Sequence, residues 1–219
     1  AAVDRYVNLG QFYDIAAAKA SRAEIVLRSS ACSSAYQRAY RALGAARQIA
    51  DSAVVLVAEG LDGDKLLRRT DGIIGREIRG KGSGGADAYR FLGSITCKGA
   101  IWRFDTVETL CPRVYQLQDT YGLAAPMLER IRAAARARGY AAIICPDPEH
   151  IECIHHLLLP ELGLAFVTSR EGMRYDGPAY RRIRLDAMVA PAHLKRCKGR
   201  LRFVRRVEEA LRDEVYYDL

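Results

Sequence analysis

The sequence predicts an α/β fold with a mostly parallel sheet, preceded by an α-helical segment. Residues 14–79 carry apolar residues at helical spacing with little strand signal. From Tyr89 onward, short apolar runs alternate with helical stretches, an order typical of βαβ units and a parallel sheet. We therefore divide the chain into a helical segment at 1–80 and an α/β domain with a C-terminal helix at 81–219.

Two helices are predicted in the helical segment. The first lies within 29–60, with serines near its start as candidate caps and Gly60 as its stop. The second runs from about Asp64 to Ile78, although two interior glycines weaken it. The glycine-rich, polar stretch 80–88 that follows predicts a flexible linker.

In the α/β domain, alternating apolar runs predict five strands. They lie at 90–95, 113–117, 140–145, 162–168 and 182–189. A helix is predicted at 126–138, because Pro126 suits the first turn and Gly139 suits a C-terminal stop. The tail, from about 191 to 217, predicts a helix that is interrupted at Gly199.

Composition and charge set the class of partner. The chain has 219 residues, 50% of them hydrophobic and 27% charged, which is ordinary for a globular protein with a buried core. Its net charge of +8 favours anionic partners, and an Arg-rich solvated surface is the alternative. No secretory leader and no run of 18 apolar residues is recognisable, so we expect no membrane span and a cytoplasm that keeps the cysteines reduced.

The loop 119-DTYGLAAP-126 joins a predicted strand to a predicted helix, which is the layout of a phosphate-binding loop. In such loops a lysine neutralises the phosphates and a Ser or Thr hydroxyl coordinates Mg²⁺. Those two positions hold Ala125 and Pro126, or Ala124 and Ala125 if one residue is deleted. The carboxylate of Asp119 would repel a triphosphate unless it is paired. The candidate nucleotide site is therefore a degenerate loop made of Asp119, Thr120, Tyr121, Gly122, Leu123, Ala124, Ala125 and Pro126.

ATP hydrolysis also needs a second acid at the end of a neighbouring strand. The strand predicted at 162–168 ends in Thr168, so Asp147 is the candidate for a magnesium ligand. The prolines on both sides of Asp147 indicate a rigid turn just as readily. We expect hydrolysis to be lost, and ATP with Mg²⁺ to bind at most weakly, through the free backbone N–H groups that begin the 126–138 helix.

Five segments also occur in one order along the chain: 6-YVNLGQFYD-14, 45-AARQIADSAVVLVAEGLDGDKLLRR-69, 91-FLGSITCKG-99, 113-RVYQLQDTYGLAAPMLERI-131 and 159-LPELGLAFVTS-169. Together they resemble the uncharacterised tandem P-loop ATPase-like proteins of spore-forming bacteria. The resemblance implies a P-loop NTPase-like three-layer fold, with residues 1 to about 50 matching the end of a first NTPase domain. It implies a partner that is another NTPase domain or an identical subunit.

Members of that family are expected to have an intact Walker A loop, and this sequence departs from the pattern at 119–126. The resemblance with that departure implies a non-hydrolysing structural or regulatory module. The alternative is an active ATPase that is completed by a partner domain or subunit.

The segment 145–156 gathers Cys145, His150, Cys153 and His156, residue types that bind zinc. The paired half-sites of structural zinc sites are missing, so we expect no metal site. We expect instead a surface loop with a partly buried cysteine that packs as a small hydrophobic residue. A Cys153–His nucleophile pair lacks a third, orienting group.

A basic patch lies within 195–206, where no acid occurs; it consists of Lys195, Arg196, Lys198, Arg200, Arg202, Arg205 and Arg206. Such residues contact nucleic-acid phosphates, and a basic nucleic-acid-binding module is therefore a third hypothesis. Phe203 is the only aromatic residue there, which argues against base stacking. The alternative is a solvated helix face, balanced by the acidic segment 208–218.

Overall fold

The computed structural model describes residues 8–219, and its elements follow the predicted order of helices and then strands. After a 3-10 turn at Leu9–Phe12, the helical segment consists of α1 (Ile15–Ala20), α2 (Arg22–Ala58) and α3 (Gly63–Glu77). The second part consists of β1 (Ala88–Tyr89), β2 (Gly93–Thr96), β3 (Gly99–Trp102), α4 (Asp105–Leu110), β4 (Arg113–Gln118), α5 (Ala125–Ala137), β5 (Ile143–Asp147), β6 (His150–Leu159), β7 (Leu164–Ser169), β8 (Arg181–Arg184) and α6 (Pro191–Asp218). No helix among the described residues is both long and apolar enough to cross a bilayer.

Six strands form one sheet in the order β1-β5-β6-β7-β4-β8. The pairs β1–β5, β4–β7 and β4–β8 are parallel, whereas β6 is antiparallel to both of its neighbours. The predicted α/β class with a mostly parallel sheet after a helical segment is thereby confirmed. The strand predicted at 90–95 is the exception, because β2 pairs with β3 in a separate antiparallel hairpin.

The sheet is covered on both faces. Alternation along β4 places Tyr115 and Leu117 in the larger buried cluster, which also contains Leu128 and Ile131 of α5. Val114 points the other way, into a second cluster that includes residues from α4 and the segment before it. Burial on both faces of the sheet is compatible with a three-layer arrangement.

The two longest helices, α2 and α6, pack antiparallel. Near the start of α6, His193 Nε2 lies 2.8 Å from the Leu56 carbonyl oxygen, and at its end Asp218 accepts hydrogen bonds from Arg38. The predicted interruption at Gly199 is wrong, since α6 is continuous through that exposed position. A glycine there costs about 1 kcal/mol relative to alanine, which the buried face of the helix offsets.

The surface loop considered for 145–156 is wrong. This segment is the end of β5, a turn at 148–149 and the beginning of β6. β6 begins with polar residues and continues into a buried apolar run, Leu157 to Leu159, that pairs with β7. The polar start made the strand difficult to recognise from the sequence.

The predicted flexible linker at 80–88 is also wrong, because hydrogen bonds fix it to the end of α5. The N–H of Gly82 donates to the Arg138 carbonyl over 2.9 Å, and the N–H of Gly84 donates to Gly139 over 2.8 Å. Ser83 donates its N–H and its hydroxyl to Glu161. Glycine here permits a close approach of two backbone segments and does not signal mobility.

Replacing Gly82 with alanine is expected to lower the free energy of unfolding by about 1–3 kcal/mol, as overpacking does. The new Cβ would overlap the Gly139 carbonyl oxygen and lie 2.7 Å from the Tyr140 ring, so backbone must move. Gly75→Ala is the matched control, since its Cβ would meet open space within α3. This substitution should raise the free energy of unfolding by about 0.5–1 kcal/mol. Urea unfolding measures both, and equal effects would contradict the close approach.

Candidate functional site

The degenerate loop lies where α/β folds place ligands, at the carboxyl ends of parallel strands. It connects β4 to α5, and β4 is flanked by the parallel strands β7 and β8. Buried Met127, Leu128 and Ile131 hold α5 against the sheet. The first turn of α5 therefore points its free N–H groups toward the loop, as in a phosphate site.

The carboxylate of Asp119 fills that position. One oxygen, Oδ1, accepts the N–H of Leu123 over 2.7 Å, and the other, Oδ2, accepts the N–H of Ala124 over 2.9 Å. The residue is 5% exposed, and its own N–H donates to the Ser169 carbonyl at the end of β7. Two backbone N–H groups immediately before α5, which could contact a phosphate, are thus bound to a side chain of the same loop.

Burial governs the ionisation of Asp119. Loss of solvation raises the pKa of this carboxyl group, while the two backbone N–H groups oppose that change. The charge of Asp186 raises the pKa further, and that of Arg170 lowers it. Both oxygens of this buried carboxylate therefore bond within the loop.

Asp186 ties the loop to β8 and was missed by sequence reasoning. It accepts the N–H of Thr120 over 3.1 Å and the Thr120 hydroxyl over 2.6 Å. It follows β8, so an acid does stand at the end of a strand next to β4. The signal was present in the sequence as Arg184-Leu185-Asp186, but the strand was predicted to run on to 189.

The long helix α2 closes the loop from outside. Gly122 has φ +77°, and a Cβ built there would lie 3.2 Å from Cγ2 of Val54. Leu123 and Ala124 are buried, Tyr121 and Ala125 are half-buried, and Pro126 is exposed at the start of α5. A lysine in place of Ala124 would therefore begin in the core and not in a solvent-open cleft.

Asp147 lies away from the loop. It ends β5, which is separated from β4 by β6 and β7. Its Oδ2 is 3.6 Å from His155 Nδ1 and 3.7 Å from Arg170 Nη2. The acid considered for magnesium thus belongs to a different cluster from the degenerate loop.

That cluster contains two adjacent histidines on one face of the sheet. A register shift between β5 and β6 at Cys145/Pro146 breaks the usual alternation, so His155 and His156 stack with ring centroids 4.6 Å apart. Trp102 meets both rings edge-on, at 5.6 and 6.0 Å. Neither the shift nor the stacking is visible in the sequence.

Both rings are buried and neutral. Burial lowers the pKa of His155 to about 3, and lowers the pKa of His156 well below its usual range. His156 Nδ1 accepts the N–H of Thr168 over 3.1 Å. His155 Nδ1, His156 Nε2 and Trp102 Nε1 have no hydrogen-bond partner among the described residues, which makes this the least satisfied polar part of the interior.

The four candidate metal ligands do not converge. Cys145 and His156 are fully buried, whereas the ring of His150 contacts Cys153 Sγ at 3.3 Å and lies 2.7 Å from a guanidinium nitrogen of Arg47. Across residues 8–219, no group of three or more His, Cys, Asp or Glu side chains has metal-binding geometry.

All seven residues of the basic patch are exposed on α6. Among the described residues, only Arg205 forms an ion pair, at 3.2 Å from Glu171. Two of the acids that follow are paired elsewhere, since Glu208 pairs with Arg212 and Asp218 pairs with Arg38, and within residues 8–219 none of them pairs with the patch. The acidic segment therefore does not neutralise the patch through direct ion pairs.

No protein family model, no curated protein and no solved structure matches this chain. The class that the fold and the loop define is an α/β protein whose strand–loop–helix unit is closed by its own aspartate. Assignment to the tandem P-loop ATPase-like family remains a hypothesis.

Proposed function

We propose that the chain is a P-loop NTPase-like, non-hydrolysing module whose phosphate loop is closed by Asp119. The observation that carries this proposal is the pair of hydrogen bonds from the N–H groups of Leu123 and Ala124 to that carboxylate. An intramolecular anion occupies the place of a ligand anion. The absence of the lysine and the hydroxyl at 124–126 supports the same conclusion.

Competition with Asp119 limits nucleotide affinity. A phosphate group can reach these N–H groups only if the carboxylate leaves, which breaks two hydrogen bonds worth about 1.5–3 kcal/mol each where the acceptor is charged. Each 1.4 kcal/mol weakens binding tenfold. An ionised Asp119 that stayed nearby would also repel the triphosphate. ATP with Mg²⁺ therefore binds at most weakly in this proposal.

The closed loop has a structural role of its own. Asp119 holds the start of α5, Thr120 binds Asp186 after β8, and Gly122 lies against Val54 of α2. Together with β4, from which the loop leaves, four elements thus meet at one loop. We also propose a cytoplasmic setting, since all six cysteines are free thiols.

An ATPase completed by a partner is the competing function. A partner lysine or arginine could neutralise phosphates, as arginine fingers do, but Asp119 would still have to be displaced. The present arrangement of the loop gives no support to that exchange.

Calorimetry with Mg-ATP and Mg-ADP tests the proposal. We expect no saturable heat up to about 1 mM nucleotide for the parent or for Ala125→Lys, because Asp119 keeps the N–H groups. Glu129→Lys, on an exposed position of α5, is the control for added charge. Magnesium-dependent binding by the parent in the micromolar range would overturn the proposal, and recovery by Ala125→Lys alone would show that the lysine was the only missing group.

A further inference from the structure

A groove lined mostly by cations lies between α3 and the edge strand β8. Its volume is about 480 Å³. Five of its seven lining residues are basic, and these five are Lys65, Arg68, Arg69, Arg182 and Arg184. Each of the five side chains is exposed, so the charge faces solvent.

These five cations form no ion pair with any acid among the described residues. Lys65 and Arg182 donate only to neutral oxygens, over 3.3 Å to the Ala187 carbonyl and 3.0 Å to the Gln116 side chain. Placing several like charges together without a counter-charge is unfavourable, and an anionic ligand would relieve it.

Three of the acids near the groove accept hydrogen bonds from other groups. Asp62 accepts the N–H of Lys65 as the cap of α3, and Asp71 forms two hydrogen bonds with Arg130. Asp186 is bound to Thr120. Asp64 is the remaining exposed acid at the start of α3. Asp62 and Asp186 keep their charge because their donors are neutral, so five cations against these two acids and Asp64 leave the groove with a net positive charge.

A second row of cations continues along α6, on the side opposite its buried residues. With 3.6 residues per turn, one stripe of this helix contains Lys195, Lys198, Arg202, Arg205 and Arg206. The buried His193 and Val204 lie on the other side. The stripe is about 16 Å long at 1.5 Å per residue.

The groove and the stripe begin at the same place. The N–H of Ala190 donates to the Gly60 carbonyl over 2.8 Å, and the N–H of Asp62 donates to Met188 over 2.9 Å. These bonds hold the first turn of α6 beside the first turn of α3. The cations of both helices therefore extend from one junction.

We propose that this groove and stripe bind the phosphate backbone of duplex nucleic acid, without reading the base sequence. A duplex carries one charge for about every 1.7 Å of its axis, so an elongated row of cations, of which only Arg205 is paired among the described residues, matches a duplex better than it matches a single phosphate. The groove has no aromatic lining residue, whereas single-strand sites stack bases on aromatic rings. Lys and Arg contacts to phosphates supply affinity that does not depend on sequence.

Fluorescence anisotropy with a labelled 20-base-pair DNA duplex, between 50 and 300 mM KCl, tests the proposal; an RNA duplex in parallel identifies the preferred backbone. The groove variant is Arg68→Gln/Arg69→Gln/Arg184→Gln, and the stripe variant is Lys198→Gln/Arg202→Gln/Arg206→Gln. Arg22→Gln/Arg41→Gln/Arg90→Gln removes the same charge from other exposed positions.

For the parent, we expect the logarithm of the binding constant to fall with the logarithm of the KCl concentration, with a slope near −0.9 for each phosphate contacted. The groove variant and the stripe variant should each have a slope that is less negative by about 2–3. The control variant should keep the parental slope. Absence of binding at 50 mM KCl, or equal losses in all three variants, would overturn the proposal. Displacement of the duplex by polyglutamate at equal charge would also overturn it, in favour of an acidic protein partner.

Discussion

Asp119→Ala is expected to lower the free energy of unfolding by about 2–5 kcal/mol. The substitution leaves the buried N–H groups of Leu123 and Ala124 without an acceptor, and each unpaired buried group costs about 1–3 kcal/mol. It also removes the anion at the start of α5. Urea unfolding at pH 7.5 measures the change.

Two further variants serve as controls for Asp119→Ala. Asp119→Asn retains one acceptor oxygen but turns an NH₂ group toward an N–H donor, so its loss should be intermediate. Asp176→Ala removes a carboxylate that is 79% exposed and should change stability by less than about 0.5 kcal/mol. If Asp119→Ala were as mild as Asp176→Ala, the carboxylate would not be holding the loop.

Lowering the pH from 7.5 to 5.0 is expected to lower the free energy of unfolding by about 4 kcal/mol, because His155 and His156 are buried in their neutral form. Their pKa values are lowered in the folded state, so the unfolded chain binds protons that the folded chain refuses. Stability is then full above the unfolded pKa near 6.5 and is lost as the pH falls below it. At pH 5.0 the contribution of each histidine to the free energy of unfolding is smaller by about 2 kcal/mol than at pH 7.5.

Variants separate this effect from other titrations. His155→Asn and His156→Asn should each reduce the slope of stability against pH, below 6.5, by about 1.4 kcal/mol per pH unit. Val114 lies in the buried cluster against which Phe104 packs, and the Phe104 ring meets His156 edge-on. Val114→Ala should therefore lower the free energy of unfolding without changing the slope. Asp119 has the opposite sign, because its raised pKa favours the folded state as the pH falls. An unchanged slope in both histidine variants would contradict the buried, neutral pair.

The sequence alone predicted the parts of the site that depend on local patterns. The β4 strand was predicted at 113–117 and lies at Arg113–Gln118, while the helix predicted at 126–138 lies at Ala125–Ala137. Apolar periodicity, Pro126 and Gly139 determine these boundaries locally. The absence of the phosphate-loop lysine and hydroxyl from 124–126 was likewise visible in the sequence.

What the sequence did not reveal depends on contacts between distant residues. Whether Asp119 turns inward depends on the closure of the loop by Val54, which is 65 positions earlier in the chain. The role of Asp186 depends on β8 lying beside β4, and the stacking of His155 and His156 depends on a register shift. Strand order and register are not set by local propensity, so these features required the fold.

The most direct test of the closed-loop account is the thermal unfolding of Asp119→Ala in potassium formate and in potassium chloride at equal ionic strength, beside the parent. Formate carries the two oxygens that the variant lacks, so it should bind the freed N–H groups of Leu123 and Ala124 and stabilise the variant. We expect formate to raise the melting temperature of the variant more than that of the parent. An equal response of the parent and the variant would contradict the closed loop, because removing the carboxylate would then have freed no N–H groups for formate to bind.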